Sequence, residues 1–135
     1  MDELQRVFKE WLNFFLIDGR YQVTNTQDGP SFNDALIDFS SENLSWRLVN
    51  DRAQILLSCS PGKDSYIETK SYSLDLLFRL VQGKRLESAI LTKEKALWLE
   101  ENIGKIEELF SKVRLAQTMK ELKKLQAIRA KELFG

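Results

Sequence analysis

The feature that most constrains the fold of this chain is an alternation of apolar and polar residues between residues 35 and 60. The apolar positions of its last two runs are Leu44, Trp46 and Leu48, followed by Ala53, Ile55, Leu57 and Cys59. A period of two is typical of antiparallel strands that bury one face. Turn-forming residues lie at 41–43 and 50–52. The segment therefore predicts a three-stranded meander whose apolar face must be covered by other elements.

Helical periodicity flanks this meander on both sides. The N-terminal stripe is Leu4, Val7, Phe8, Trp11, Leu12 and Phe15, and the long C-terminal stripe is Ala96, Leu99, Ile103, Ile106, Phe110 and Val113. Intervals of three and four residues place each stripe on one buried helix face. Asp2 and Thr92 have side chains that can cap these two helices. Because Phe14, Leu16 and Ile17 widen the apolar surface at the C-terminal end of the first helix, we expect this end to be enclosed on more than one side.

The predicted fold class is α+β, with an N-terminal helix, an antiparallel β-meander of three to five strands and three C-terminal helices. At 135 residues the chain is expected to form a single domain. The predicted helices cover residues 2–17, 73–83, 93–115 and 118–134. The predicted sheet covers residues 20–70. Its outermost strands are expected at 21–24 and 65–70, with a loop over 27–30. Ser73 can cap the first C-terminal helix, and Gly83 ends it. The capping-box spacing of Thr118 and Glu121 predicts the last helix break, near 115–118.

Charge is distributed unevenly along a chain that is neutral as a whole. The chain carries 20 basic and 20 acidic side chains, but residues 112–135 hold seven basic and two acidic ones, a net charge of +5. Residues 1–111 therefore carry a net charge of −5. In a dedicated nucleic-acid-binding domain the positive field normally dominates the whole domain, so this distribution argues against that class.

The sequence lacks the side chains that most hydrolytic sites need. It has no histidine and one cysteine, Cys59, whose inward strand position predicts a core residue rather than a reactive thiol. Ser-His-Asp, Cys-His and zinc-hydrolase chemistries are thereby excluded. We expect no catalytic site, no metal and no cofactor.

One short sequence pattern favours a different functional class, a metal-dependent nuclease. Glu68 and Lys70, with one residue between them, match the Glu-x-Lys pattern of restriction-nuclease-like magnesium sites. In such sites the carboxylate holds the ion and the lysine orients the attacking water. An acidic partner is also needed, and the nearest candidates, Asp51 and Asp64, both lie in predicted turns. We therefore favour a solvated edge strand over 65–70, with a magnesium-dependent nuclease as an alternative.

The ends and the hydropathy of the chain bear on its location. The first residues are acidic where a secretory signal would be basic. No apolar run approaches the ~20 residues that a membrane span needs. We therefore expect a cytoplasmic protein that does not associate with membranes.

The charged C-terminal segments form the predicted interaction surface, with another protein as the expected partner. The predicted contact residues are Asp51, Arg52, Glu100, Glu101, Glu107, Glu108, Lys120, Lys123, Lys124 and Arg129. A protein interface needs only complementary shape and charge, without a reactive group. Three alternatives stay open: phosphate binding by the basic end, a homodimer through the C-terminal helices, and mutual pairing of the acidic and basic helices across a helix hairpin.

The run LSWRLVNDRAQILLSCSP, within residues 36–61, resembles a strand, Asp-Arg, strand segment of small uncharacterised bacterial proteins, some of them similar to immunity proteins of toxin systems. The resemblance contains no catalytic motif and transfers no functional residue. It implies a bacterial cytosolic binding protein. The sequence therefore favours a non-catalytic protein-binding module, of immunity type or an adaptor. A nucleic-acid-associated protein that uses the basic C-terminal helix is the alternative, and a nuclease-like enzyme is the second alternative.

Overall fold

The computed structural model describes residues 1–28, 35–63 and 65–135. Its strands are β1 Gln22–Gln27, β2 Ala35–Ser40, β3 Leu44–Asp51, β4 Gln54–Pro61 and β5 Tyr72–Ser73, which form one five-stranded antiparallel sheet in chain order. Its helices are α1 Asp2–Trp11, α2 Asn13–Ile17, α3 Leu74–Gln82, α4 Lys93–Leu109 and α5 Leu115–Phe134, with a short 3-10 helix at Glu68–Lys70. The predicted α+β class and meander are confirmed. Asp64 and part of the predicted loop over 27–30 lie outside the described residues.

The helices pack on one face of the sheet and form the core with it. α1 contacts β2, β3 and α4, and α3 contacts β4, β5 and α5. The predicted burial of Trp46, Leu57 and Phe15 is confirmed, and Ile55 and Trp11 are half-buried against the same core. The rings of Phe15 and Trp46 lie 5.5 Å apart between their centroids, within the range in which aromatic pairs attract one another. The inward side chains predicted from the strand pattern and from the helix pattern therefore pack together in a single core.

The N-terminal helix differs from the prediction in three respects. It is interrupted at Leu12, where φ is −115° and the first helix ends. Met1 occupies the N-cap position without a side-chain cap, and Asp2 is the first helical residue. Phe14 is half-buried against the core, but Leu16 is 51% exposed and Ile17 is 77% exposed, so the expected enclosure of this end is wrong for these two residues. After the interruption Phe15 is buried in the core and Phe14 packs beside it, while the last two residues of α2 are exposed.

The central hairpin turns two residues later than predicted. β3 and β4 stay paired as far as Asp51 and Gln54, so the loop contains only Arg52 and Ala53. Both loop residues have positive φ, 53° and 67°. This is the pattern of a type I′ turn, whose twist matches that of the flanking strands. Of the predicted turn residues 50–52, Arg52 lies in the loop, but the prediction is wrong for Asn50 and Asp51, through which the strand pairing continues. Ala53, predicted to be in the next strand, is the second loop residue.

Between the meander and α3 the predicted strand over 65–70 is absent. Glu68–Lys70 forms the 3-10 helix instead, and the fifth strand is Tyr72–Ser73. Gly83 ends α3 in the left-handed conformation, as predicted. Ser73 occupies the N-cap position of that helix, but its hydroxyl donates to the Asp75 carboxylate rather than accepting from a helix amide.

The C-terminal helices separate earlier than predicted. α4 begins at the Thr92 cap, as predicted, but it ends at Leu109, and α5 begins at Leu115. Thr118 is buried inside α5 and donates from its hydroxyl to the Leu109 carbonyl at 2.5 Å, so the predicted capping box does not form. The chain turns between the two helices, which leaves Val113 94% exposed instead of on the inward stripe.

Candidate functional site

The face of the sheet opposite the helices carries an apolar row that none of the described helices covers. Leu36 pairs with Val49, Val49 pairs with Leu56, and Leu56 forms a β-bridge with Ile90. Leu36, Val49 and Leu56 are half-buried and, unlike the neighbouring inward residues, do not belong to the core cluster. Ile90 is exposed. We call these four residues the outer apolar row.

A polar row lies beside the outer apolar row on the same face. Arg47 donates to both carboxylate oxygens of Asp38 at 2.8 and 2.9 Å. The Arg47 guanidinium also lies 4.3 Å from the centre of the Tyr66 ring, and the Tyr66 hydroxyl forms a 2.6 Å hydrogen bond with Ser58. These contacts hold the arginine in one orientation. The hydrogen bonds to Asp38 raise the pKa of Arg47, although partial burial opposes this effect.

The Asp38–Arg47 pair is buried unequally. The Asp38 side chain is 7% exposed, whereas the Arg47 side chain is 22% exposed. Removing the arginine would leave the carboxylate buried without its counter-charge, which is strongly destabilising in proteins. The pair therefore fixes the polar row, and the exposed part of the guanidinium can contact a partner.

This face has the composition of a protein-binding surface. The centre of such an interface is apolar, with arginine and tyrosine enriched among the residues that contribute most to affinity. Here the outer apolar row borders the Arg47–Tyr66 stack on one side and the exposed pair Asp51–Gln54 on the other. Arg52, at the hairpin tip, has a side chain that is 93% exposed and 3.9 Å from Asp51.

Two of the predicted contact residues, Asp51 and Arg52, therefore lie at the edge of this face. The remaining predicted residues lie elsewhere and do not converge. Glu100, Glu101 and Glu108 are exposed on α4, and Lys120, Lys123 and Lys124 are exposed on α5. The two buried or half-buried ones have structural partners: Glu107 accepts from Tyr21 and Ser41, and Arg129 donates to Asp75 on α3.

The expected charge pairing between α4 and α5 is wrong for most of these residues, because α5 packs on α3. Arg129 contacts Asp75 at 2.9 Å, and Glu132 on α5 contacts Arg79 at 2.8 Å. The pair between Arg114 and Glu108, 3.4 Å apart, lies at the turn between the helices and is exposed. Pairing across the α3–α5 contact thus leaves the acidic face of α4 directed to solvent.

The residues of the alternative nuclease site are also dispersed. Glu68 and Lys70 are both exposed on the 3-10 helix, and Asp51 lies at the hairpin end of the sheet. Among the described residues no group of three His, Cys, Asp or Glu side chains could hold a metal ion. Asp64, the other acidic candidate, lies outside these residues.

The outer apolar row was missed because sequence patterns favour the inward face. Its one sequence signal is that Leu48-Val49 and Ile55-Leu56-Leu57 are apolar at consecutive positions, where a strand with one solvated face would alternate. The position of Tyr66 above Arg47 has no such signal, since the contact joins β3 to a residue that lies outside the strands.

No family model, no curated protein and no solved structure matches this chain. Within the part of the chain that the structure describes, none of the helices is long and apolar enough to span a membrane.

Proposed function

We propose that this protein is a non-catalytic protein-binding module whose partner docks on the outer face of the sheet. The observation that carries the proposal is the outer apolar row, half-exposed beside an arginine that two neighbouring side chains hold in place. Such a surface gains affinity by desolvating apolar side chains, and the fixed guanidinium supplies directional hydrogen bonds at a low entropic cost.

An immunity-type inhibitor is the most concrete form of this proposal, and an adaptor is the more general one. Either role needs only a stable surface of complementary shape and charge. The meander supplies such a surface because strands β2, β3 and β4 are each paired on both sides. A rigid surface loses little conformational freedom on binding.

Association with nucleic acid is the second candidate, and one observation favours it. Lys120, Lys123 and Lys124 are exposed on α5, and none of them forms an ion pair with the described residues. Unpaired lysines on one helix can contact phosphates. Against this role, the basic segment 112–135 has a single aromatic side chain, Phe134 near its end, on which a base could stack.

An affinity capture from a lysate of the native host, performed with and without nuclease and washed at low and at physiological salt, separates the two candidates. Four baits are compared: the unchanged protein, Leu56→Asp in the outer apolar row, Ile128→Asp on α5 as the matched control, and the triple variant with glutamine at 120, 123 and 124. Ile128 is exposed and far along α5, so its substitution tests the same change of polarity at another surface. Thermal melting shows that each bait is folded.

We expect one protein to be captured by every bait except Leu56→Asp. Binding that is lost only in the lysine variant, depends steeply on salt and disappears with nuclease would establish the nucleic-acid alternative instead. Mass measurement of the unchanged protein in solution tests self-association: a dimer that Leu56→Asp converts to a monomer would assign the outer face to a second copy of the chain. Equal capture by Leu56→Asp and Ile128→Asp would refute the proposed docking face.

A further inference from the structure

A polar groove of about 620 Å³ lies at the end of the sheet opposite the hairpin tip. It is bounded by the start of β1, the turn between β2 and β3, and the C-terminal half of α4, with Arg20, Ser41 and Glu107 among its lining residues. Binding sites for small ligands typically enclose about 300–1,000 Å³. The groove is separate from the outer apolar row, and the inference below does not depend on the proposed function.

Glu107 is the unusual member of this lining. The residue is 5% exposed, and its Oε1 accepts hydrogen bonds from the hydroxyls of Tyr21 and Ser41, each at 2.5 Å. Its Oε2 has no hydrogen bond with the described residues, yet this atom is not sealed from solvent. One carboxylate oxygen is thus held by the fold, and the other opens to the groove that Glu107 lines.

The charge of Glu107 is not neutralised by a direct ion pair. No lysine or arginine of the described residues lies within 4.0 Å of its carboxylate. The two cations of the groove have acidic partners of their own: Arg20 contacts Asp18 at 2.6 Å, and Lys63 contacts Glu42 at 3.0 Å. The pKa of Arg20 is raised chiefly by its hydrogen bonds to Asp18 and to a smaller extent by the charge of Glu107, so Arg20 acts on Glu107 only at longer range. A buried carboxylate without a direct ion pair is costly, so binding a cation there is favoured.

The two hydroxyl donors also fix the orientation of the carboxylate. Burial raises the pKa of Tyr21, and its hydrogen bond to Glu107 raises that pKa further, so the phenol stays protonated as a donor. Ser41 lies in the turn between β2 and β3, where its hydroxyl also accepts from the backbone amides of Asn43 and Leu44 at 3.3 Å. Oε2 therefore keeps its position without rearrangement when a ligand arrives.

We infer that this groove binds a cationic nitrogen group, a primary ammonium or a guanidinium, through the open carboxylate oxygen of Glu107. Asn43 and Ser111 line the groove as well, and their oxygen atoms are of the type that can accept the remaining N–H donors. The cation can belong to a free small molecule or to a lysine or arginine side chain of a protein, since both present the same chemistry.

Titrations of the full chain, monitored by amide NMR, test this inference. The probes are ethylammonium, ethylguanidinium, an acetylated Gly-Arg-Gly amide peptide and inorganic phosphate. We expect both cations to shift the amides of Gly19 and Gly104, which line the groove from two sides. Tighter binding of the peptide than of ethylguanidinium assigns the site to a protein side chain, and the reverse assigns it to a free small molecule.

Glu107→Gln keeps an oxygen for Tyr21 and Ser41 but removes the charge, and we expect it to weaken cation binding by about tenfold or more. Glu108→Gln is the matched control, because Glu108 lines the same groove but is 67% exposed. Its effect should stay within about threefold. Equal losses in the two variants would show that only general surface charge attracts the cation.

Two results with the unchanged protein would overturn the inference without any variant. One is the absence of amide shifts at cation concentrations of about 20 mM, which would mean that Glu107 only ties α4 to the sheet. The other is binding of phosphate at the same amides in competition with the cations, which would make Arg20 and Lys63 the recognition groups.

Discussion

The loop of the central hairpin offers a direct test of the backbone geometry. Ala53 has a φ of 67° and an exposed side chain, so replacing it by glycine changes the backbone energy and removes no core contact. A left-handed conformation costs an L-residue about 1–2 kcal/mol, and glycine avoids most of this cost. Glycine also increases the entropy of the unfolded chain, which offsets about 0.4–1 kcal/mol. Ala53→Gly should therefore raise the free energy of unfolding by about 0.5–1 kcal/mol.

Urea unfolding followed by tryptophan fluorescence measures this change. With an m-value of about 2 kcal/mol/M, the midpoint should rise by roughly 0.3–0.5 M while the m-value stays constant. Ala127→Gly is the matched control, because it makes the same exchange at an exposed position within α5 and should lower the free energy of unfolding by about 1 kcal/mol. If both variants are destabilised to a similar degree, the loop does not hold Ala53 in the left-handed region.

Three further predictions follow from burial and hydrogen bonding. Leu57→Ala should lower the free energy of unfolding, measured with urea, by about 2–5 kcal/mol, whereas Leu56→Ala, on the outer face, should lower it by about 1 kcal/mol or less. Equal decreases would contradict the assignment of the two faces. Thr118→Val should lower the free energy of unfolding by about 1–2 kcal/mol, because the Leu109 carbonyl at the end of α4 loses its hydrogen-bond donor. It should also speed amide hydrogen exchange at the start of α5. Burial and the bond to Glu107 raise the pKa of Tyr21 above its usual 10.0, so the stability this residue contributes is present below pH 10 and is lost as the pH rises further. The difference in stability between the unchanged protein and Tyr21→Phe should accordingly shrink between about pH 9 and pH 11, and a difference that grows would contradict the assignment.

The predicted elements that the structure confirms are those whose signal is local. Thr92 caps α4 by accepting from the Lys95 amide, and Gly83 ends α3 with a φ of 73°. A cap or a left-handed residue acts within a few positions, so its sequence signature is sufficient. The same holds for the inward positions of β3 and β4, because the pleat places alternate side chains on opposite faces whatever packs above them.

The errors lie where two local signals compete and a distant contact decides. The spacing of Thr118 and Glu121 matches a capping box, but Thr118 is buried and binds the last residue of α4 instead. The residues at 50–52 are typical of a turn, but Asn50 pairs with Ile55 and the strand continues. In both cases the gain from packing or pairing exceeds the small preference of the residue type.

The sequence by itself determined the fold class, the meander and the inward face of each long element, because burying one face of a strand or helix imposes a period on neighbouring residues. Only the tertiary structure decided that α5 packs on α3, that Tyr66 stacks on Arg47, and that Glu107 joins Tyr21 across 86 positions of the chain. Such contacts leave no periodic trace, since each depends on how separate elements are oriented once the core is packed. The groove at Glu107 and the Arg47–Tyr66 stack beside the outer apolar row consist of contacts of that second kind.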